Sequence, residues 1–135
     1  MKTQSQQESA TAPAAGHTAV KTSVAEALQR LPGPATAQYP EGAPSVTLLQ
    51  HGSMALKLFS PATNTDRRDR QLPHEQDELY LVHSGTAQFS VDGKSFAVSP
   101  GDAFFVAAGA SHRFDTFTPD FATWVVFYGP QGGEQ

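Results

Sequence analysis

The sequence predicts a small all-β domain that closes into a barrel or packs as a two-sheet sandwich. Three observations favour this fold class: short strand-like runs recur after residue 45, turn-forming residues separate them, and a helical pattern occurs once. Closing the sheets would leave few exposed strand edges. The eight predicted strands are Val46–Gln50, Met54–Phe59, Glu78–Val82, Thr86–Val91, Lys94–Val98, Ala103–Val106, His112–Phe117 and Thr123–Tyr128.

The first segment, residues 1–21, is rich in Gln, Ser, Thr and Ala. It contains too few large apolar side chains to offset the entropy lost on ordering, so we expect a disordered tail. It also lacks the apolar run of a signal peptide or a membrane span. This favours a soluble, cytoplasmic protein that does not associate with membranes.

A short helix and an irregular connector are expected over residues 22–44, ahead of the barrel domain at 45–135. The run Ser23–Glu26 has the spacing of a capping box, in which each of the two end side chains binds a free backbone N–H of the first turn. Apolar residues including Leu28 follow at helical spacing, and Pro32-Gly33-Pro34 ends the run. We expect the helix to pack on the outside of the barrel.

The clearest turn in the sequence is Asp92-Gly93, between the strand that ends at Val91 and the strand that begins at Lys94. Two-residue hairpin turns of this type require positive φ at both central positions, which Asp and Gly tolerate. This dipeptide therefore predicts a β-hairpin.

Composition restricts the function classes. The chain has 13 acidic against 9 Lys and Arg residues, a net charge of −4, so nucleic acid is not an expected partner. Without cysteine there is neither a disulfide framework nor a thiolate ligand or nucleophile. A bound metal ion must therefore be held by imidazole, carboxylate, amide or water, and the reducing cytosol fits this composition.

One charged segment, residues 60–70, interrupts the strand pattern. The first interpretation is a solvated loop whose Arg and Asp residues pair with one another. The alternative is a lid whose Arg67, Arg68 or Arg70 attracts an anionic substrate. We favour the first, because charge runs on surfaces are common and exposed pairs are weak.

Three residues stand out as a candidate metal site: His74, Glu78 and His112. His74 and Glu78 are four positions apart, so they face the same side of a regular strand. His112 begins a later strand. Two imidazoles and a carboxylate with open positions suit a divalent transition metal. Taken singly, each residue also has an ordinary structural explanation, such as a hydrogen-bonded His or a Glu paired with Arg.

Taken together, the residues around this site resemble the two sequence motifs of the cupin family. The first motif is His-x-His, three or four residues, a Glu, six residues and a Gly; the second is Gly, five residues, Pro-x-Gly, two residues and His. The residues in register are His74, Glu78 and Gly85 for the first motif and Gly101, Gly109 and His112 for the second. The resemblance implies a double-stranded β-helix, or jelly-roll, barrel with a metal held in its lumen.

Over residues 46–134 the chain also resembles a subgroup of small single-domain bacterial cupins of undefined function. The sequence departs from the general pattern at three positions. Leu72 occupies the place of the first motif's opening His, Ala107 that of the second motif's Pro, and Thr116 that of its closing Asn. The missing His leaves one ligand position vacant, and we expect Leu72 to face inward beside it.

An amide oxygen from Gln71 or Gln76 is a candidate for this vacancy, as is a water or a substrate oxygen. Gln76 shares strand parity with Glu78, whereas Gln71 faces inward only if the chain turns at Pro73. Both residues therefore remain candidates beside the main set. The resemblance implies Fe, Mn, Ni, Zn or Cu as the ion.

Five aromatic residues are predicted to line the substrate pocket around the metal. They are Tyr80, Phe89, Phe104, Phe114 and Trp124. For each of them taken alone, simple packing in the barrel is the alternative.

The resemblance implies chemistry on a small organic molecule, with oxygenase-type chemistry as the first expectation and isomerase, cyclase or lyase chemistry as further members of the set. The alternative is a non-catalytic cupin that binds or senses a small ligand, which the missing His favours. Small cupins often pair, so a homodimer is expected.

Overall fold

The computed structural model describes residues 19–64 and 66–135, in which two antiparallel sheets face each other. One short helix, α1, spans Val24–Gln29. The strands are β1 (Ser45–His51), β2 (Met54–Phe59), β3 (Asp77–Ser84), β4 (Ala87–Val91), β5 (Lys94–Val98), β6 (Ala103–Val106), β7 (His112–Phe117) and β8 (Ala122–Tyr128). Each predicted strand is present, and its ends differ by at most two residues from the prediction.

The strand order joins elements that are far apart in sequence. The larger sheet has the order β1-β2-β8-β3-β6 and the smaller sheet the order β5-β4-β7. In the larger sheet β3 pairs with both β8 and β6, which brings the residues before β3 close to the end of the chain and to the β6–β7 turn. This arrangement confirms the predicted all-β jelly-roll barrel.

Side chains alternate across the larger sheet, as strand geometry requires. Along β8, Val125 and Phe127 belong to the main core cluster, whereas Trp124, which precedes Val125, packs against the second cluster. The expectation that Trp124 faces the lumen is therefore wrong, because its parity is opposite to that of Val125. A register shift of one residue would reverse this whole pattern.

Five phenylalanines fill one end of the lumen. Phe89 is fully buried and its ring centroid lies 4.7 Å from that of Phe114 and 4.8 Å from that of Phe104. Phe96 and Phe121 extend the cluster at centroid distances of 5.6 Å from Phe89 and 4.9 Å from Phe114. Full burial of one such side chain stabilises a fold by about 1.5–3 kcal/mol.

Helix α1 lies on the outside of the larger sheet, as predicted. The Ser23 hydroxyl accepts a hydrogen bond from the Glu26 backbone N–H at 3.1 Å, which is the N-cap half of the predicted capping box. The Glu26 carboxylate lies 4.0 Å from Arg30, one turn further along. Ala27 is fully buried in the second core cluster, while Leu28 is 44% exposed and so lies on the solvent side of the helix.

The turn predicted at Asp92-Gly93 is present between β4 and β5, with φ of 47° and 81° at its two central residues. Both values lie in the left-handed region that two-residue hairpin turns require. The hairpin prediction is confirmed.

The charged loop before β3 is tied to the connector that follows α1. Arg70 pairs with Asp66 at 2.6 Å and with Glu41 at 3.2 Å, and it donates to the Gln38 carbonyl at 2.6 Å. Its guanidinium also lies 5.4 Å from the Tyr39 ring centroid. For Arg70 the interpretation of mutual pairing within a solvated loop is confirmed, and the loop in addition holds the connector in place.

The predicted disordered tail falls mostly on residues 1–18, which lie outside the described residues. The division at residues 21/22 and 44/45 stays a prediction. In the described ranges no helix is long and apolar enough to span a membrane.

Candidate metal centre

His74, Glu78 and His112 converge inside the barrel, with one ligand atom from each lying within 4.8 Å of the others. Glu78 lies on β3 and is 1% exposed; His112 is the first residue of β7 and is 5% exposed. The Glu78 Oε2 to His112 Nε2 distance is 3.5 Å. The two imidazole centroids are 5.4 Å apart.

The parity argument for His74 is wrong, although His74 does reach the site. β3 begins at Asp77, so His74 lies in the preceding loop and not on the strand. Its position is fixed by its backbone carbonyl, which accepts from the Gly109 N–H at 2.7 Å. Because Gly109 lies in the turn that leads to His112, this bond joins the two predicted motifs directly.

Gln71 supplies an amide oxygen at the same place. Its Oε1 lies 3.1 Å from His112 Nε2 and 3.3 Å from His74 Nε2. Its Nε2 donates to Asp69 Oδ2 at 2.7 Å. A carboxylate accepts only, so this bond requires the nitrogen on the Asp69 side and the oxygen on the histidine side.

Asp69 is a residue of the site that the sequence reasoning missed. It is 4% exposed and accepts from the backbone N–H of Phe114 at 2.8 Å and of Gln71 at 3.0 Å. Burial raises the pKa of its carboxyl, and these N–H donors act in the opposite direction. The available signal in the sequence was the residue type, because an Asp side chain commonly accepts from the N–H two residues later in a turn. Asp69 accepts in this way from Gln71.

Gln76 and Leu72 lie elsewhere. The Gln76 amide donates to the backbone carbonyls of Ser53 at 2.8 Å and Gly129 at 2.9 Å, which holds it at the rim. Leu72 is 56% exposed, so the expectation of an inward Leu72 is wrong. Both expectations assumed strand alternation in residues that form a loop.

The proton positions leave several acceptors facing one another. His112 Nδ1 lies 2.9 Å from the Ala110 carbonyl, an acceptor, so in the neutral ring this nitrogen carries the proton and Nε2 presents a lone pair. That lone pair faces Gln71 Oε1 and Glu78 Oε2. Among the described residues Glu78 Oε2 has no hydrogen-bond donor, whereas its Oε1 accepts from the Tyr80 hydroxyl at 2.8 Å.

Burial sets the protonation of the cluster. It lowers the pKa of His74 to about 4, with the charges of His112 and Lys57 acting in the same direction. It raises the pKa of Glu78 to about 7, against the bond from Tyr80 and the charge of Lys57. It also raises the pKa of Tyr80, which keeps its proton and remains a donor. A neutral imidazole and an orphaned buried carboxylate oxygen fit a cation.

A cavity of about 290 Å³ adjoins the cluster. Gln71, His74 and Tyr80 form one side of it, and the connector residues around Tyr39 form the opposite wall. Lys57, Phe59, Val125 and Phe127 also line it.

Of the five predicted pocket residues, Tyr80 borders this cavity. Phe89, Phe104 and Phe114 pack with one another at the other end of the lumen, and Trp124 lies on the outer face. Sequence alternation identified lumen positions but not which end of the lumen stays open, because that depends on how the aromatic rings fill the space.

Comparison with known proteins agrees with this architecture. Residues 62–128 match the family model described as Cupin domain, and this stretch contains both motifs. The chain belongs to the cupin family. An uncharacterized protein of Streptomyces coelicolor is 35% identical over 83 residues, which cover 62% of this cupin and 77% of that relative.

Solved structures show the same fold at low sequence identity. A cupin superfamily protein from Desulfitobacterium hafniense has a TM-score of 0.50 at 22% identity, covering 64% of this cupin and 76% of that chain. A cupin-2 domain protein from Rhodospirillum rubrum has a TM-score of 0.51 at 16% identity, covering 64% and 60%. KdgF from a Halomonas species has a TM-score of 0.50 at 17% identity, covering 64% and 80%.

The motif glycines Gly85, Gly101 and Gly109 all have a positive φ. Gly85 has φ of 73°, and a Cβ at that position would lie 2.5 Å from Thr118 Oγ1 and 2.6 Å from Phe121 Cα. Both the backbone angle and the close approach exclude a side chain there. Gly85 thus lets β3 turn into β4 against the β7–β8 connection.

Proposed function

We propose that this cupin binds one divalent transition metal ion through His74, Glu78 and His112, with the Gln71 amide oxygen as the fourth protein ligand, and acts on a small organic molecule in the adjoining cavity. The observation that carries the proposal is the pair of acceptors that face a neutral His112 Nε2, Gln71 Oε1 at 3.1 Å and Glu78 Oε2 at 3.5 Å, of which Glu78 Oε2 has no donor among the described residues. A cation relieves this repulsion and satisfies the orphaned oxygen.

The donor set of two nitrogens and two oxygens suits Fe, Mn, Ni, Zn or Cu. Such an ion supplies Lewis acidity or a site for O₂ and substrate when bound. We propose oxygenase-type chemistry first, with isomerase, cyclase and lyase chemistry as the other classes, on the basis of the family resemblance.

The chain's own residues prepare the site in two ways. The Tyr80 hydroxyl fixes one oxygen of Glu78, so that the other oxygen faces the histidines. Asp69 fixes the Gln71 amide with its oxygen toward the same point. Partners that orient metal ligands in this manner typically change metal affinity by roughly 10- to 100-fold when they are mutated.

Substitution of His112 by Ala tests the proposal. Protein purified without chelators, or reconstituted with Fe, Mn, Ni, Zn or Cu, is expected to hold close to one equivalent of metal by elemental analysis, and the His112→Ala variant close to none. The matched control is His83→Ala, since His83 lies on β3 with an exposed side chain. Full metal content in the His112 variant, or none in the parent under every metal, would favour the non-catalytic ligand-binding alternative.

Two coarser features belong to the same proposal. A homodimer is supported by the exposed apolar side chains Phe105 (55% exposed) and Leu81 (39% exposed) near the edge strand β6. A cytoplasmic location is supported by the absence of cysteine, which fits a reducing compartment.

A further inference from the structure

Lys57 is a cation that faces the cavity from β2. It pairs in register with Val125 of β8, a residue of the lumen core. Its ammonium lies 5.2 Å from the Phe127 ring centroid. Among the described residues no carboxylate lies within ion-pair distance of this ammonium.

The other lining residues make Lys57 distinctive. Within the described chain no other Lys or Arg and no Asp or Glu borders the cavity, whose walls include Phe59, Val125 and Phe127. Arg70, in the loop just before Gln71, is bound instead to Asp66 and Glu41. Lys57 is half-buried beside this apolar wall, and its ammonium is available to an anionic ligand that enters the cavity.

Lys57 is also close to the proposed metal centre. His74 and the Lys57 ammonium contact the same ring, with the His74 and Phe127 centroids 4.9 Å apart. The positive charge of Lys57 lowers the pKa of both His74 and Glu78. One small molecule in the cavity therefore reaches both Lys57 and the centre.

Lys57 supplies the net positive charge beside the centre. A divalent ion is balanced by the carboxylates of Glu78 and Asp69, and the amide of Gln71, the phenol of Tyr80 and a neutral His74 contribute no charge. Among the described residues that line the cavity, the Lys57 ammonium is then the uncompensated charge. Opposite charge in a low-dielectric cavity is the strongest selector available to this site.

We infer that the cavity takes a small organic carboxylate, with its carboxylate group bound by Lys57 and the rest of the molecule directed at the metal centre. This inference names the substrate class of the site and rests on the proposed function for the role of the metal. Lys57 is then the residue that determines specificity for an anion.

The test compares two isosteric probes, propionate and propionamide, by calorimetric titration of the metal-loaded full chain. We expect propionate to bind more tightly than propionamide, and Lys57→Met to weaken propionate binding by roughly tenfold or more, the scale of one charge-assisted hydrogen bond. Propionamide binding and metal content should stay unchanged in that variant. Lys57→Arg keeps the charge and should retain most of the preference.

The matched control is Lys94→Met, since Lys94 is an exposed residue of β5 outside the cavity. Equal binding of the two probes to the parent, or undiminished propionate binding by Lys57→Met with normal thermal unfolding, overturns the inference. If the parent holds no metal, the proposed function fails separately. The same titration on metal-free protein then decides the role of Lys57, because Lys57→Met should still weaken propionate binding there.

Discussion

The two ends of the barrel lumen are built on different principles. At one end Phe89, Phe96, Phe104 and Phe114 pack ring against ring, with centroid distances of 4.7 to 5.6 Å between neighbours. At the other end the inward side chains are imidazole, carboxylate and amide groups beside a cavity of about 290 Å³. Tyr80 joins them, with its ring stacked on Phe104 at 4.8 Å and its hydroxyl on Glu78.

The aromatic end contributes stability to the barrel, whereas the polar end holds the groups of the proposed metal site. The aromatic end buries apolar surface with no polar atom left unsatisfied by that packing. The polar end holds a carboxylate whose pKa burial raises to about 7, and an oxygen without a donor among the described residues. A fold keeps such costly groups where a ligand satisfies them.

The largest effect is expected from Phe89→Ala at the aromatic end. Phe89 is fully buried and contacts the rings of Tyr80, Phe96, Phe104 and Phe114. Its truncation leaves a cavity and is expected to lower the free energy of unfolding by about 3–5 kcal/mol, measured by denaturant titration. Leu28→Ala, at a side chain that is 44% exposed on the solvent side of α1, is the control and should cost much less. Similar losses in both variants would contradict the contrast between core and surface.

Glu78→Gln is expected to have the opposite signature at the polar end. In metal-free protein at pH 8 this variant should be as stable as the parent or more stable, because a neutral amide replaces a buried carboxylate and still accepts from Tyr80. Burial favours the protonated acid, so the stability that Glu78 contributes to the parent is fully present below the ordinary Glu pKa of 4.5 and is lost as pH rises through about 7. The difference between the two proteins should therefore grow with pH.

Metal binding by Glu78→Gln should fall by more than tenfold, since the charged ligand is lost. Chelator competition measures this change beside the unfolding curves. A variant that loses stability at pH 8 and keeps its metal affinity would remove the distinction between the two ends.

Gln71→Leu tests whether the Gln71 amide oxygen is a metal ligand at the polar end. Removing its amide oxygen is expected to weaken metal binding by roughly tenfold, as for changes in groups that support a metal site, because water can replace a neutral ligand. Gln76→Leu is the matched control: its amide binds the Ser53 and Gly129 carbonyls, so the loss should affect stability and leave metal affinity unchanged. Equal metal loss in both variants would argue against Gln71 as a ligand.

The fold was largely readable from the sequence because each strand carries its own alternation and each turn its own chemistry. Asp92-Gly93 specified a hairpin locally, because both turn residues tolerate positive φ, and β4 and β5 pair on either side of it. The convergence of His74, Glu78 and His112 could be predicted because the motif spacing fixes their positions along the chain.

The rest of the site depends on loops and on packing, which alternation does not describe. Residues 71–76 form no strand, so parity misplaced Leu72 and Gln76 and could not decide for Gln71. Lys57 lies at an inward position of β2, between Ala55 and Phe59 of the main core. A charged residue at a core position was the signal that identifies it.

The smallest effect is expected from Arg70→Gln, which loosens the link between the charged loop and the connector wall of the cavity. Arg70 holds the pKa of Asp66 below its ordinary value, so the stability from this pair is present above that value and lost as pH falls through the lowered pKa. The variant should unfold at a slightly lower temperature at pH 7. The difference in unfolding temperature between the variant and the parent should disappear at low pH. It should also narrow in about 1 M salt, where exposed charges are screened.

Arg113→Gln, at an exposed pair with Asp115 away from the connector, is the control for a general loss of charge. If Arg70→Gln also weakens propionate binding and Arg113→Gln does not, the connector is part of the ligand site, and the polar end extends beyond the barrel. If propionate binding is unchanged in both variants, the ligand site is confined to the strands and the 71–76 loop.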